Sequence, residues 1–197
     1  CGNVYVTGKT HSPDFPKYAP GAGAFFQPNI GDNLTGAASG DAFVLKFSPS
    51  SVCLWATYIG GNEGENYNGC KITSDLGGNV YLTGQTRSNN FPTKDPGSSG
   101  YFKPAYGGGG MYIGDVIIMQ FDLACNLIWS TYYGGNDGDW ARGIITDKQG
   151  CVIVTGEFKS TTKTTSIDPG GGAYYQPTNA NLGSQYDDGF IAKFCPN

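Results

Sequence analysis

The residues able to do chemistry in this 197-residue chain are one histidine, six cysteines and two acidic turns. His11 lies in Thr10-His11-Ser12-Pro13-Asp14, which lacks the spacing of a Ser-His-Asp set, and reads as a water-exposed loop residue. Gly107 to Gly110 run into Met111 and Tyr112, where a phosphate loop would need Lys followed by Ser or Thr. The cysteines form no Cys-x-x-Cys pair and have a single histidine for company, so zinc spacing is missing and disulfides are the expectation.

The acidic turns are Gly61-Asn62-Glu63-Gly64-Glu65-Asn66 and Gly135-Asn136-Asp137-Gly138-Asp139. Paired carboxylates can cleave glycosidic bonds, but this pair recurs at matched places, and an enzyme usually has one site. The same loops cluster oxygen atoms, which makes Asn62, Glu63, Glu65, Asn136, Asp137 and Asp139 candidate calcium ligands. Neither loop has the distal bidentate Glu or the alternating ligands of a calcium loop. The competing reading is a solvated turn whose Asn and Asp side chains bond their own backbone. Trp140 follows the second turn, with Tyr67 or Asn66 as its approximate counterpart, and is a candidate surface, together with Tyr67, for stacking on sugars or packing against protein. Tyr101, Tyr106, Tyr112, Tyr174 and Tyr175 extend that aromatic supply, although core packing competes with it. Trp55 and Trp129 occupy matched strand positions and read as core. Asn33-Leu34-Thr35 is a glycosylation sequon for a source with that pathway.

What positions these residues is a repeat. Gly2-Asn3-Val4-Tyr5-Val6-Thr7-Gly8 returns at Gly78 to Gly84 and at Gly150 to Gly156. Asp41 to Phe47 returns at Asp115 to Phe121 and Asp188 to Phe194, and Trp55 to Asn62 at Trp129 to Asn136. A fourth block, Gly69 to Asp75, has a looser match beginning at Gly143. Each block is short, rich in β-branched and aromatic residues, and bounded by Gly, Asn, Asp or Pro, which predicts strands. The unit is about 74 residues, the offset of Trp129 from Trp55. With strands named a to d from the Gly69 block, the chain reads b-c-d, a-b-c-d, a-b-c. That places a partial blade at 1–68, a complete one at 69–141 and a partial one at 142–197. Long inserts separate b from c at 9–40, 85–114 and 157–187, and each carries an aromatic pair: Phe25-Phe26, Tyr101-Phe102 and Tyr174-Tyr175. Such pairs predict anchored loops.

Composition agrees. Gly and Pro number 32 and 11, against helix interiors, while 14% aromatic residues argue against disorder. A net charge of -4 with only two arginines, Arg87 and Arg142, argues against a nucleic-acid groove. The apolar runs, such as Val116 to Met119, are strand-sized, so no membrane span is expected in this segment. The chain opens at Cys1 without a charged-then-apolar leader, so any secretion signal would lie outside it.

On these blocks, Gly-Asn-Val-Tyr-Val-Thr-Gly, Asp-Phe-Pro, Gly-Ala-Phe-Phe-Gln, Asp-Ala-Phe-Val-x-Lys-Phe and Trp-x-Thr-Tyr-x-Gly-Gly, the chain resembles the SBBP family of seven-bladed β-propellers along almost its whole length. The resemblance implies an all-β fold of four-stranded antiparallel blades, found largely in bacterial secreted and surface proteins, with no catalytic motif to carry over. Ten strands are too few to close a ring alone. Within such blades Cys1, Cys53, Cys125, Cys151 and Cys195 should share one rim, with Cys70 toward the other. Cys125 to Cys151 is then the leading disulfide, and Cys195 to Cys1 of an adjacent copy a second candidate. Free buried thiols and bonds outside the segment are the alternatives. The expected role is an extracellular, non-catalytic module for adhesion, protein interaction or surface assembly, with other chains, copies of itself or glycans as partners. A carbohydrate-active enzyme with its site in a propeller funnel, and a filament subunit, are the competing readings.

Overall fold

A computed structural model describes residues 2–31, 40–65, 69–97, 100–109, 114–162, 170–176 and 187–195. Among the described residues there is no helix, and ten strands form three antiparallel sheets without a closed ring. The first sheet holds β1 (Val4–Thr10), β2 (Asp41–Phe47) and β3 (Cys53–Ile59) in that order. The second holds β4 (Lys71–Ser74), β5 (Val80–Thr86), β6 (Asp115–Phe121) and β7 (Leu127–Tyr133). The third orders β10 (Asp188–Phe194), β9 (Val152–Phe158) and β8 (Asp139–Thr146). These are the b-c-d, a-b-c-d and a-b-c sets expected of partial propeller blades. Two boundaries differ from expectation. β8 starts at Asp139, within the second acidic turn, and Glu65 of the first acidic turn forms an isolated bridge with Thr86 of the second blade.

The tight turns share one construction. Asp75 closes its turn by accepting Asn79 N at 2.9 Å, Asp122 accepts Asn126 N at 2.8 Å and Asp147 accepts Cys151 N at 2.9 Å. Ser48 substitutes its hydroxyl for the carboxylate, accepting Val52 N at 3.1 Å. The turn then needs a left-handed residue, supplied by Gly78 and Gly150 at φ 87° and 81°, and by Ser51 and Cys125 at 64° and 68°.

Strand alternation decides what the sheets bury. In β6, Ile117, Met119 and Phe121 face the first blade, meeting Ala42, Val44, Trp55 and Ile59. Val116 and Ile118 face the other way, toward Ala141, Ile144, Val152 and Val154 of the third. The core is therefore two seams between stacked sheets, with the middle blade covered on both faces. Trp55 is fully buried in the first seam, edge-on to Phe121 at 5.1 Å, and Trp129 lies in the second against Phe194 at 5.4 Å. The inserts fold back over strand d: Tyr18 forms a bridge with Ala56, and Lys94 forms one with Ser130. Each Trp indole donates to an insert carbonyl, Trp55 to Phe25 O and Trp129 to Tyr101 O, both at 2.9 Å. This anchors the aromatic pairs and covers part of an otherwise open sheet edge.

Candidate functional site

The two seams carry one polar arrangement at the rim where the inserts and acidic turns meet. At the first, Asp41 opens β2 and takes Gln27 Nε2 at 2.9 Å and Gly31 N at 2.8 Å on Oδ2. Glu65 takes Thr86 Oγ1 at 2.8 Å and a very close Ser88 Oγ on Oε1. At the second, Asp115 takes Lys103 Nζ at 3.0 Å and Gly107 N at 2.8 Å. Asp139 takes Gly135 N at 2.9 Å and Ser160 Oγ at 2.7 Å on Oδ2, with the Lys159 and Ser160 amides on Oδ1. All four carboxyls are fully buried. The paired glycines follow from this crowding. A Cβ on Gly60 would run into the Asp41 carboxyl, and one on Gly134 into those of Asp139 and Asp115. Burial is the main reason that Glu65 is pushed well above the ordinary carboxylate value, that Asp115 is raised and that Asp139 is raised to about 6.

The candidate calcium ligands are thus dispersed into other contacts. Glu65 and Asp139 point into the seams. Asn136 Oδ1 accepts the Thr161 and Thr162 amides at 3.0 Å, Asp137 Oδ1 accepts Gly138 N at 2.7 Å, and Glu63 faces Arg87 at 3.7 Å. Asn62 uses its backbone N–H to reach Asn90 Oδ1 at 2.7 Å. Among the described residues no three His, Cys, Asp or Glu side chains gather where a metal ion would sit. The sequence reading missed the serines. Ser12, Ser88 and Ser160 each stand four residues after the repeated Gly8, Gly84 and Gly156, a signal hidden because the inserts look dissimilar there.

Trp140 is half-buried on β8, not a free platform, and Tyr67 lies outside the described residues. Tyr101 packs on Tyr133 at 5.6 Å and Tyr106 on Tyr132 at 6.0 Å, whereas Tyr174 is 88% exposed.

The disulfide expectation is corrected. Cys151 bonds Cys195, not Cys125. Val152 opposes Phe194 in the β9–β10 ladder, so the next residue outward on each strand faces its partner within one blade. Cys125 turns the opposite way, into the first seam, where Lys46 Nζ lies 3.8 Å from its sulfur. Cys195 is therefore not available for Cys1 of another copy, and Cys1 lies outside the described residues. Cys53 and Cys125 are free thiols.

The outer faces of the end blades are the other distinctive feature. Val6 is 39% exposed, while its repeat counterpart Leu82 is buried in the first seam. Ile191 is 79% exposed, while its counterparts Val44 and Ile118 are completely buried. Residues 54–92 match the family model of the SBBP β-propeller repeat. Over that stretch the chain is similar to this repeat. The matched segment starts in β3 and ends beyond β5, so the SBBP repeat spans a blade junction, including Gly60, Glu65 and Ser88 of the first rim. No curated protein matches the sequence. No helix among the described residues is long and apolar enough to cross a membrane.

Proposed function

We propose that this chain is a non-catalytic propeller-repeat module of a secreted or cell-surface protein, working in adhesion or assembly by offering blade faces to other protein surfaces. The observation that carries this reading is the contrast of Val6 with Leu82 and of Ile191 with Val44 and Ile118. Repeat positions that are sealed in the interior by a neighbouring blade are open at the two ends. A surface of matching shape, a further blade of the same protein or a blade of another copy included, buries them at roughly 25 cal/mol per Å² of apolar area. The Cys151–Cys195 bond supports an oxidising location. The acidic residues support a non-catalytic role, because both pairs are repeated and buried and neither presents an acid and a base to a substrate.

Sedimentation of the purified chain over a range of concentrations tests the reading. Association that weakens in Val6→Glu and Ile191→Lys is the expected result. A concentration-independent single-chain species, unchanged by either substitution, would overturn the self-assembly form of it.

A further inference from the structure

At the rim of the first seam two buried carboxyl groups from different blades meet among neutral donors. Asp41 Oδ2 is served by a Gln27 amide and a backbone N–H, and Glu65 Oε1 by the hydroxyls of Thr86 and Ser88. Glu65 N donates to Gly40 O at 2.9 Å, next to Asp41 in the chain, and Glu65 Oε2 is buried without a donor of its own, so the two carboxyls are near enough to repel as anions. Two neighbouring carboxylates shielded from water repel, whereas a proton on one lets it donate to the other, which favours holding one of the pair as the acid. We propose that Asp41 and Glu65 share a single proton at neutral pH and so form a proton-held latch between the first and second blades.

The reasoning is electrostatic. Both side chains are completely buried, so removing the proton leaves two like charges across a seam that water does not reach. The charged and titratable groups around them come from every packed element. Tyr58 stands on β3, His11 lies beside Gly40 after β1, and Glu63 and Arg87 pair at the outer side. Tyr132 of β7 and Asp115 of β6 complete the set from the second blade. The second seam supplies an internal contrast, because Lys103 puts an ammonium on Asp115 where the first seam has Gln27. Asp139, one methylene shorter than Glu65, spends both oxygens on Ser160, Gly135 and the Lys159 amide.

The direction of the pH response follows. Glu65 is held above its ordinary value chiefly by burial. A carboxyl raised on folding contributes stability that is complete below its unfolded value and is lost as pH rises through the folded one. The latch is therefore tightest in acid, loosens as pH rises from the ordinary carboxylate range toward the pair's own titration, and changes no further above it.

Carboxyl-carbon NMR of the intact chain is the direct test. The Glu65 resonance should stay at the position of the protonated acid while exposed carboxyls titrate; titration of Glu65 alongside them overturns the proposal. Amide protection along β2, corrected for intrinsic exchange, gives the functional test. The seam's opening constant should rise by up to about tenfold per pH unit between the ordinary carboxylate range and the titration of the pair, the slope for one proton released on opening, and level off above it. Glu65→Gln, whose amide can donate to Asp41 without a proton, should abolish that rise, whereas Asp139→Asn should leave it in place. A Glu65→Gln protein that loosens with rising pH as the parent does, or an Asp139→Asn protein that does not, would sink the latch.

Discussion

The first and second seams are built by the same strands and bury similar side chains, yet they neutralise their buried acids by different means. One uses neutral donors, Gln27 on Asp41 and the Thr86 and Ser88 hydroxyls on Glu65; the other uses the Lys103 ammonium on Asp115. They also differ in what stands behind them. The second seam closes on a three-stranded blade bolted by Cys151–Cys195, and the first on a three-stranded blade in which no disulfide is described. The comparison teaches that a repeat preserves a mechanical requirement, two acids held at a blade junction, and not the particular chemistry that satisfies it.

The severest way to break the comparison is to empty each seam. Trp55→Ala and Trp129→Ala should cost about 3–5 kcal/mol each, the range for losing a buried aromatic side chain. Trp55 should be the costlier, because it is completely enclosed while Trp129 keeps 5% exposure and packs on a blade of three strands. Urea unfolding of the two variants reads the order. Equal losses would mean that the third blade packs as firmly as the middle one.

Removing the bolt comes next. Cys151→Ser should destabilise the chain by about 2–4 kcal/mol, the usual range for a disulfide closing a loop of this size. The bond spans 44 residues and ties β9 to β10, so increased amide exchange should appear in those strands and along the second seam. The first seam should keep its protection in a hydrogen-exchange experiment, since Cys125 there is a free thiol packed beside Lys46.

Exchanging the neutralising groups sharpens the comparison more finely. Lys103→Gln gives the second seam the first seam's amide and takes a cation from a fully buried Asp115. A loss of about 1–3 kcal/mol is expected at neutral pH, the range for leaving a buried polar group poorly satisfied. Part of it should return on acidification. Asp139 is already raised to about 6, mainly by burial, so its stabilising contribution is whole below 3.8 and disappears as pH climbs through about 6. Without the Lys103 ammonium, that loss should extend to higher pH. Gln27→Lys should do the reverse at the first seam and flatten its loosening with rising pH. Denaturant midpoints measured against pH decide both.

How much of this the sequence discloses depends on how local each feature is. The strand sets were legible because Val4 to Gly8, Asp41 to Phe47 and Trp55 to Asn62 repeat with little change, and sheet pairing follows from their order. The fate of Glu65 and Asp139 was not, because a Gly flanked by acids looks the same whether it meets water or a neighbouring blade. Their partners Ser88 and Ser160 are 23 and 21 residues downstream, in inserts whose lengths and residues differ. The Cys151–Cys195 pairing was available from the antiparallel register of strands b and c. It was obscured by expecting the inter-blade rim, and not the ladder within one blade, to bring sulfurs together.

The gentlest perturbation tests whether the second seam depends on the open outer side of the third blade. Arg142 sits at the bulge between Ala141 and Gly143 and meets Glu157 by two donors, at 2.9 and 3.2 Å, with its side chain 47% exposed. Water and salt screen such a pair, so Arg142→Ala should cost no more than about 1 kcal/mol, less still at high ionic strength. The inward residues of β8, Ala141 and Ile144, keep their places in the seam whether or not the pair is present. Amide protection of β9 should therefore be unchanged in the variant. A loss rivalling that of Cys151→Ser would mean that the outer face, through the bulge, holds the seam shut from behind.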